Sequence, residues 1–282
     1  MKFTTTRYPI WNLWIARPLE SCGYTFTPVD DYDNAVRTLL ASPEDFQTVI
    51  ATKETPEGAQ DETALLWDSG RRIDDLMVLF SLAQGRNIHY REAHWKIMDG
   101  EKVVSSGVNY NYMGRALAQG DRAITPFEIY WFLERAIPIA TQPGWAADNG
   151  FTPAVFWYLD SLTQSVVELR YMTAWMGVQS LASRHAQKTG LSASNGGADM
   201  IEALTSFRDD NQMPYISDQL IEFCIELAND FTSRASEDRF FTHRLAYIYT
   251  RKLQLTLEMT LLEMLGAGGF ARRDSVLRDI RR

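Results

Sequence analysis

Cysteine is nearly absent: Cys22 and Cys224 are the only two in 282 residues. That count excludes a disulfide framework and a cysteine-based zinc site, and makes a reducing, cytoplasmic setting the expectation. No apolar run approaches the ~20 residues that a membrane span needs. The start, Met1-Lys2-Phe3-Thr4-Thr5-Thr6-Arg7, has no apolar core of the signal-peptide kind. Neither membrane insertion nor export is expected. Basic residues are in deficit, with 28 Lys and Arg against 36 Asp and Glu, a formal charge of -8 and a pI near 5.1. The bulk field repels nucleic acid, so any RNA contact has to come from a local patch. Glycine and proline, at 17 and 10 residues, are too few for a collagenous or low-complexity chain.

Several catalytic signatures are missing too. There is no Gly-x-x-x-x-Gly-Lys-Ser/Thr loop, no Gly-x-Gly-x-x-Gly after a strand and no Gly-x-Ser-x-Gly elbow. Nucleotide hydrolysis through a P-loop and esterase chemistry are thereby disfavoured. His-Glu-x-x-His and paired Glu-x-x-His helices are also lacking, which argues against a zinc or di-iron centre. No cofactor and no metal is expected.

What is present divides the chain in two. The first fifty residues are rich in aromatic and β-branched side chains and are punctuated by Pro9, Pro18, Gly23, Pro28 and Pro43, so strands and loops rather than helices are expected there. Residues 46–52 add a further strand. Leu65, Leu66, Ile73, Leu76, Met77, Phe80 and Leu82 recur at helical spacing over 63–84, and Gly85 closes that helix. Segments 88–97 and 102–111 flank Asp99-Gly100, a hairpin signal. Residues 1–124 therefore read as an α+β module.

From 125 to 282 the pattern is helical. Thr125 and Pro126 open a helix whose buried side is expected to carry Phe127, Tyr130, Trp131, Leu133 and Ile137 until Pro138 disturbs it. Residues 142–150 read as a hinge. Val155, Leu159, Leu162, Val166, Leu169, Thr173, Met176 and Ser180 alternate at three and four, the seam of one long helix ending near Gly190. Shorter helices follow at 199–207 and 217–232. A last long helix over 236–265 has Phe241, Leu245, Ile248, Leu255, Met259 and Leu262 as its stripe. Two long helices with shorter ones between them imply a bundle, followed by an arginine-rich tail over 267–282. The fold class is α+β, with the strands at the front and an all-helical second part.

Four histidines remain for proton chemistry. His89 and His94 are five residues apart on one expected strand and would point to opposite faces. His185 lies near a helix C-terminus, where a cationic ring interacts favourably with the dipole. His243 has Arg239 one helical step before it, well off the apolar stripe, with Tyr247 and Thr250 continuing the same face. An arginine can hold a phosphate through two hydrogen bonds while a histidine exchanges a proton with a ribose hydroxyl. Arg239 and His243 are the catalytic candidates for metal-free RNA cleavage; the other reading makes them part of a solvated first turn or a packing interface.

The stretches 157–184, Asp238-Arg239-Phe240-Phe241-Thr242-His243 and 253–266, ending Leu261-Leu262-Glu263-Met264-Leu265-Gly266, carry a resemblance. Together they resemble the HEPN superfamily of helical bundles, especially the HEPN domains of ApeA-like anti-phage defence proteins. The Arg-to-His spacing is shorter than in active members, and the position where the family has its arginine is held by Asp238, Glu237 or Ser236. The resemblance implies a metal-independent endoribonuclease effector of a prokaryotic defence system that acts on RNA, pairs as a homodimer and answers to a defence partner protein or phage trigger. The alternative it allows is a non-catalytic HEPN-like binding or sensor module.

Overall fold

A computed structural model describes residues 2–41, 45–56, 62–110, 123–192, 198–213, 216–233 and 243–268. The protein is α+β, with strands first and helices after. It forms two compact units, 1–134 and 135–282. The division falls inside a helix that the sequence boundary at 124/125 had placed wholly in the second part.

The first unit is built on an antiparallel sheet. Its strands are β1 (Lys2–Trp11), β2 (Leu19–Ser21), β3 (Tyr24–Pro28), β4 (Gln47–Pro56), β5 (His89–Tyr90), β6 (Glu92–Asp99) and β7 (Lys102–Tyr110), in the order β2-β3-β4-β1-β6-β7, with β5 on the end of β1. Alternation sets the two sides of β1. Thr6, Tyr8 and Ile10 are buried, whereas Thr5, Arg7, Pro9 and Trp11 are not. Helix α2 (Glu62–Gln84) covers the buried side, its Phe80 ring meeting Phe26 of β3 edge to face at 5.2 Å. Gly85 takes φ 58°, and the Arg86 N–H reaches back to the Ser81 carbonyl at 3.2 Å, which ends α2 as the glycine signal requires. The β6–β7 hairpin turns at Gly100, φ 61°.

One expectation for this unit fails. Helix α1 (Tyr32–Ala41) occupies part of the first fifty residues. Asp31 starts it by accepting from the Ala35 N–H at 3.0 Å, and Val36 and Leu39 are its buried side.

The second unit holds the end of α3 (Ile129–Ala140), then α4 (Trp145–Asp148), α5 (Phe151–Thr163), α6 (Val167–Thr189), α7 (Ala198–Asp210), α8 (Asp218–Ser233) and α9 (His243–Met264). Three expectations are corrected. In α3 the buried residues are Ile129, Phe132, Leu133 and Ala136, while Phe127 is 75% and Trp131 54% exposed and Tyr130 is exposed as well. Segment 142–150 contains α4, whose Trp145 packs on Phe151.

The third correction concerns the long seam, which is two helices rather than one. Gln164 and Val166 are extended, and the Arg170 guanidinium donates to the Gln164 carbonyl at 2.6 and 3.1 Å, closing α5. Val155 and Leu159 are buried, but Leu169 is 54% and Met176 42% exposed. The interior face of α6 is instead Tyr171, Ala174, Trp175, Leu181, Ala182 and Ala186, half a turn away, packed on α7, α8 and Leu253 of α9. Helix α9 is buried on every side from Leu253 to Leu262, which makes it the central element of the unit.

Candidate functional site

His243 is the first described residue of α9; its side chain, and Arg239 altogether, lie outside the described residues. The face expected to continue from them divides. Tyr247 is exposed, but Thr250 is buried because α9 has entered the core by that turn. Along the same helix, Ile248 is exposed and Leu255, Met259 and Leu262 are buried.

Inside the core α9 carries polar groups that periodicity alone did not single out. Tyr158 of α5 donates its hydroxyl to the Glu258 carboxyl, and Gln254, one turn earlier, donates from Nε2 to Ser161 O and Oγ at 3.0 and 3.1 Å. All four side chains are buried. Such groups stay inside only because each has a partner. Thr256 differs: its Oγ1 has no hydrogen-bond partner, and it borders a cavity of about 30 Å³ shared with Trp175, Leu204, Phe207 and Cys224. That volume suits a water molecule and is far too small for a metabolite.

His185 sits where α6 meets α7. Its Nε2 lies 3.0 Å from Ser206 Oγ and 3.1 Å from Asp210 Oδ2, and its ring meets Phe207 edge to face. Serine activation requires the acid on one ring nitrogen and the hydroxyl on the other. Here both share Nε2, so the cluster fastens two helices and does not make a nucleophile.

In the first unit, polar groups gather at the end of β1. Asn12, at φ 67°, donates to Asp45 at 2.8 Å and accepts from the Phe46 N–H at 3.1 Å. Arg91 bonds Asp45 at 2.9 Å and sits 4.0 Å over the Trp11 ring, on which His89 also stacks. Burial lowers the His89 pKa, opposed by the Asp45 carboxylate 3.9 Å away. His89 is thus a neutral packing group at neutral pH. Its relation to His94 also differs from the expectation. His89 pairs with Trp11 and His94 with Arg7, a register offset by one at Arg91, so both lie on the same side of the sheet. His94 bonds Glu92 at 2.9 Å.

A second cluster lies on the α2 side. Tyr90 donates to Asp74 at 2.9 Å, and burial raises both the Asp74 carboxyl and, to about 12, the Tyr8 hydroxyl beside it. Among the described residues no group of three His, Cys, Asp or Glu side chains could hold a metal ion, and no helix is long and apolar enough to cross a membrane. Cys22 and Cys224 are both free thiols. Compared with family models, curated proteins and solved structures, the chain matches none.

Proposed function

We propose that the protein is a cytoplasmic, metal-independent endoribonuclease effector of a prokaryotic defence system, its helical unit a HEPN-like bundle with Arg239 and His243 as the catalytic pair. One observation supports this reading: His243 lies on α9, the helix whose middle, from Leu253 to Leu262, is buried on all sides. A catalytic group attached to the most constrained element of a domain is positioned at little entropic cost. In the proposed step neutral His243 takes the proton of a ribose 2′-hydroxyl, and the 2′ oxygen bonds to phosphorus. The bond to the 5′ oxygen breaks, and that oxygen leaves with a proton from water. Arg239 neutralises charge on the non-bridging oxygens. The products are a 2′,3′-cyclic phosphate and a 5′-hydroxyl. Homodimer formation belongs to the same reading and is supported by the exposed Val166, Leu169 and Met176 on the outer side of α6.

A second reading is favoured by Asp238, an acid adjoining Arg239, and by the net charge of -8. It makes the bundle a non-catalytic binding or sensor module. Incubation with total RNA in EDTA separates the two. Cleavage to cyclic-phosphate ends, undiminished by chelator, supports the nuclease; intact RNA, with and without added divalent metal, removes it.

A further inference from the structure

The cavity of the helical unit is enclosed by side chains from four helices: Trp175 of α6, Leu204 and Phe207 of α7, Ile221 and Cys224 of α8 and Leu253 of α9. Walls of that kind alone leave a cavity dry. Two hydroxyls make this one different. Thr256 and Thr260 also line it, one turn apart on α9 and therefore on the same side of the helix, and each is more than nine-tenths buried. A helical threonine ordinarily satisfies itself on the carbonyl four residues before it. Thr173 and Thr189 of α6 do so, bonding the Leu169 and His185 carbonyls at 2.6 and 3.0 Å. Thr256 does not make that bond to the Lys252 carbonyl, and its Oγ1 has no other hydrogen-bond partner among the described residues.

Leaving a buried hydroxyl without a partner generally costs more than immobilising one water molecule beside it. The space of about 30 Å³ exceeds the roughly 10–15 Å³ that a single water requires. We propose that this cavity is a binding site for an ordered water, held by Thr256 Oγ1 with Thr260 Oγ1 and Cys224 Sγ as its further partners, so that it bridges α9 and α8. A lodged water needs about two to four polar partners, and these three groups supply that number. Burial pushes the Cys224 thiol up to about 12, so at neutral pH it keeps its proton and is a weak donor as well as a weak acceptor. Together with Tyr158–Glu258 and Gln254–Ser161, which fasten α9 to α5, the water gives the buried middle of α9 a polar tie on its α8 side as well. The site is independent of whether the helical unit cleaves RNA.

The test is a crystal structure of the full chain that resolves ordered solvent, for wild type, Thr256→Val and Thr256→Ser, with urea unfolding of each alongside. Wild type should show a water within hydrogen-bond distance of Thr256 Oγ1, and Thr256→Ser, which keeps the hydroxyl, should retain it. Thr256→Val has nearly the same shape without the hydroxyl; it should lose the water and unfold at a lower urea midpoint. A dry cavity in wild type overturns the proposal, as does a Thr256 hydroxyl found on the Lys252 carbonyl. A water that stays in Thr256→Val overturns it because another group then holds it. A Thr256→Val midpoint above that of wild type also overturns it, since removing an unsatisfied hydroxyl stabilises and removing a satisfied one does not. Should Thr256→Val fail to fold, the wild-type and Thr256→Ser structures decide the matter alone.

Discussion

Tyr158 and Glu258, one hundred residues apart in the chain, share a hydrogen bond at the centre of the helical unit, both sealed from solvent. The bond joins α5 to the buried middle of α9, whose Gln254 also donates to Ser161 of α5. Removing one partner of a buried polar pair leaves the other desolvated, a larger effect than the net worth of the bond. Tyr158→Phe should lower unfolding stability by about 1–3 kcal/mol, read as a shift of the urea midpoint at unchanged slope. An unshifted midpoint would mean that Glu258 is satisfied without Tyr158.

Gly177 brings α6 close to both α5 and α9. A Cβ there would stand 2.6 Å from Leu257 Cδ2, 3.3 Å from Trp157 Cβ and 3.4 Å from the Ala154 carbonyl. Gly177→Val should therefore destabilise by about 1–3 kcal/mol despite valine's better helix propensity. Thermal melting checks this. A variant melting at or above the wild-type temperature would show that α5 and α6 are not in this contact.

Much of this arrangement is illegible in sequence for a physical reason. Helix α2 and the β6–β7 hairpin could be read because their signals are local: a 3.6-residue apolar period closed by Gly85, and a glycine at the turn. The break between α5 and α6 has no proline or glycine; Gln164-Ser165-Val166 leaves the helix because Arg170 folds back on the Gln164 carbonyl. Leu169 and Met176 consequently fit a seam in sequence while facing solvent. Gln254 and Glu258 look like surface positions until Ser161 and Tyr158 arrive from a distant helix, and His185 meets Ser206 and Asp210 in the same way. Arg239 and His243 could be nominated because their spacing of four is read from the sequence alone.

Asp74 supplies a pH signature. Burial raises its carboxyl above the ordinary 3.8, the bond from Tyr90 only partly opposing the rise, and burial and the Asp74 charge together raise Asp75. Between pH 3.8 and the raised value the folded chain keeps a proton that the unfolded chain has lost, so stability falls as pH rises through that window. Asp74→Asn retains an acceptor for Tyr90 and removes the charge. The variant should be at least as stable as wild type near pH 7, with the difference vanishing below about pH 4. Denaturant titrations at several pH values check it; a variant weaker at neutral pH contradicts the burial argument.

The exposed Leu169 and Met176 make the dimer testable. Multi-angle light scattering at micromolar concentration should give twice 32.2 kDa for wild type, and Leu169→Glu/Met176→Glu should give the single-chain mass because a charge is stranded in an apolar seam. A monomeric wild type, or a double variant that still pairs, rules out this face as the contact.

The nuclease assignment stands or falls on His243. Single-turnover cleavage of RNA in EDTA should proceed for wild type and slow by about two to four orders of magnitude in His243→Ala, the range for a lost acid-base group, with the fold intact by circular dichroism. Arg239→Ala should slow it comparably. Full activity in the His243 variant, or no cleavage by the wild type, would contradict the account and leave the helical unit as a binding module.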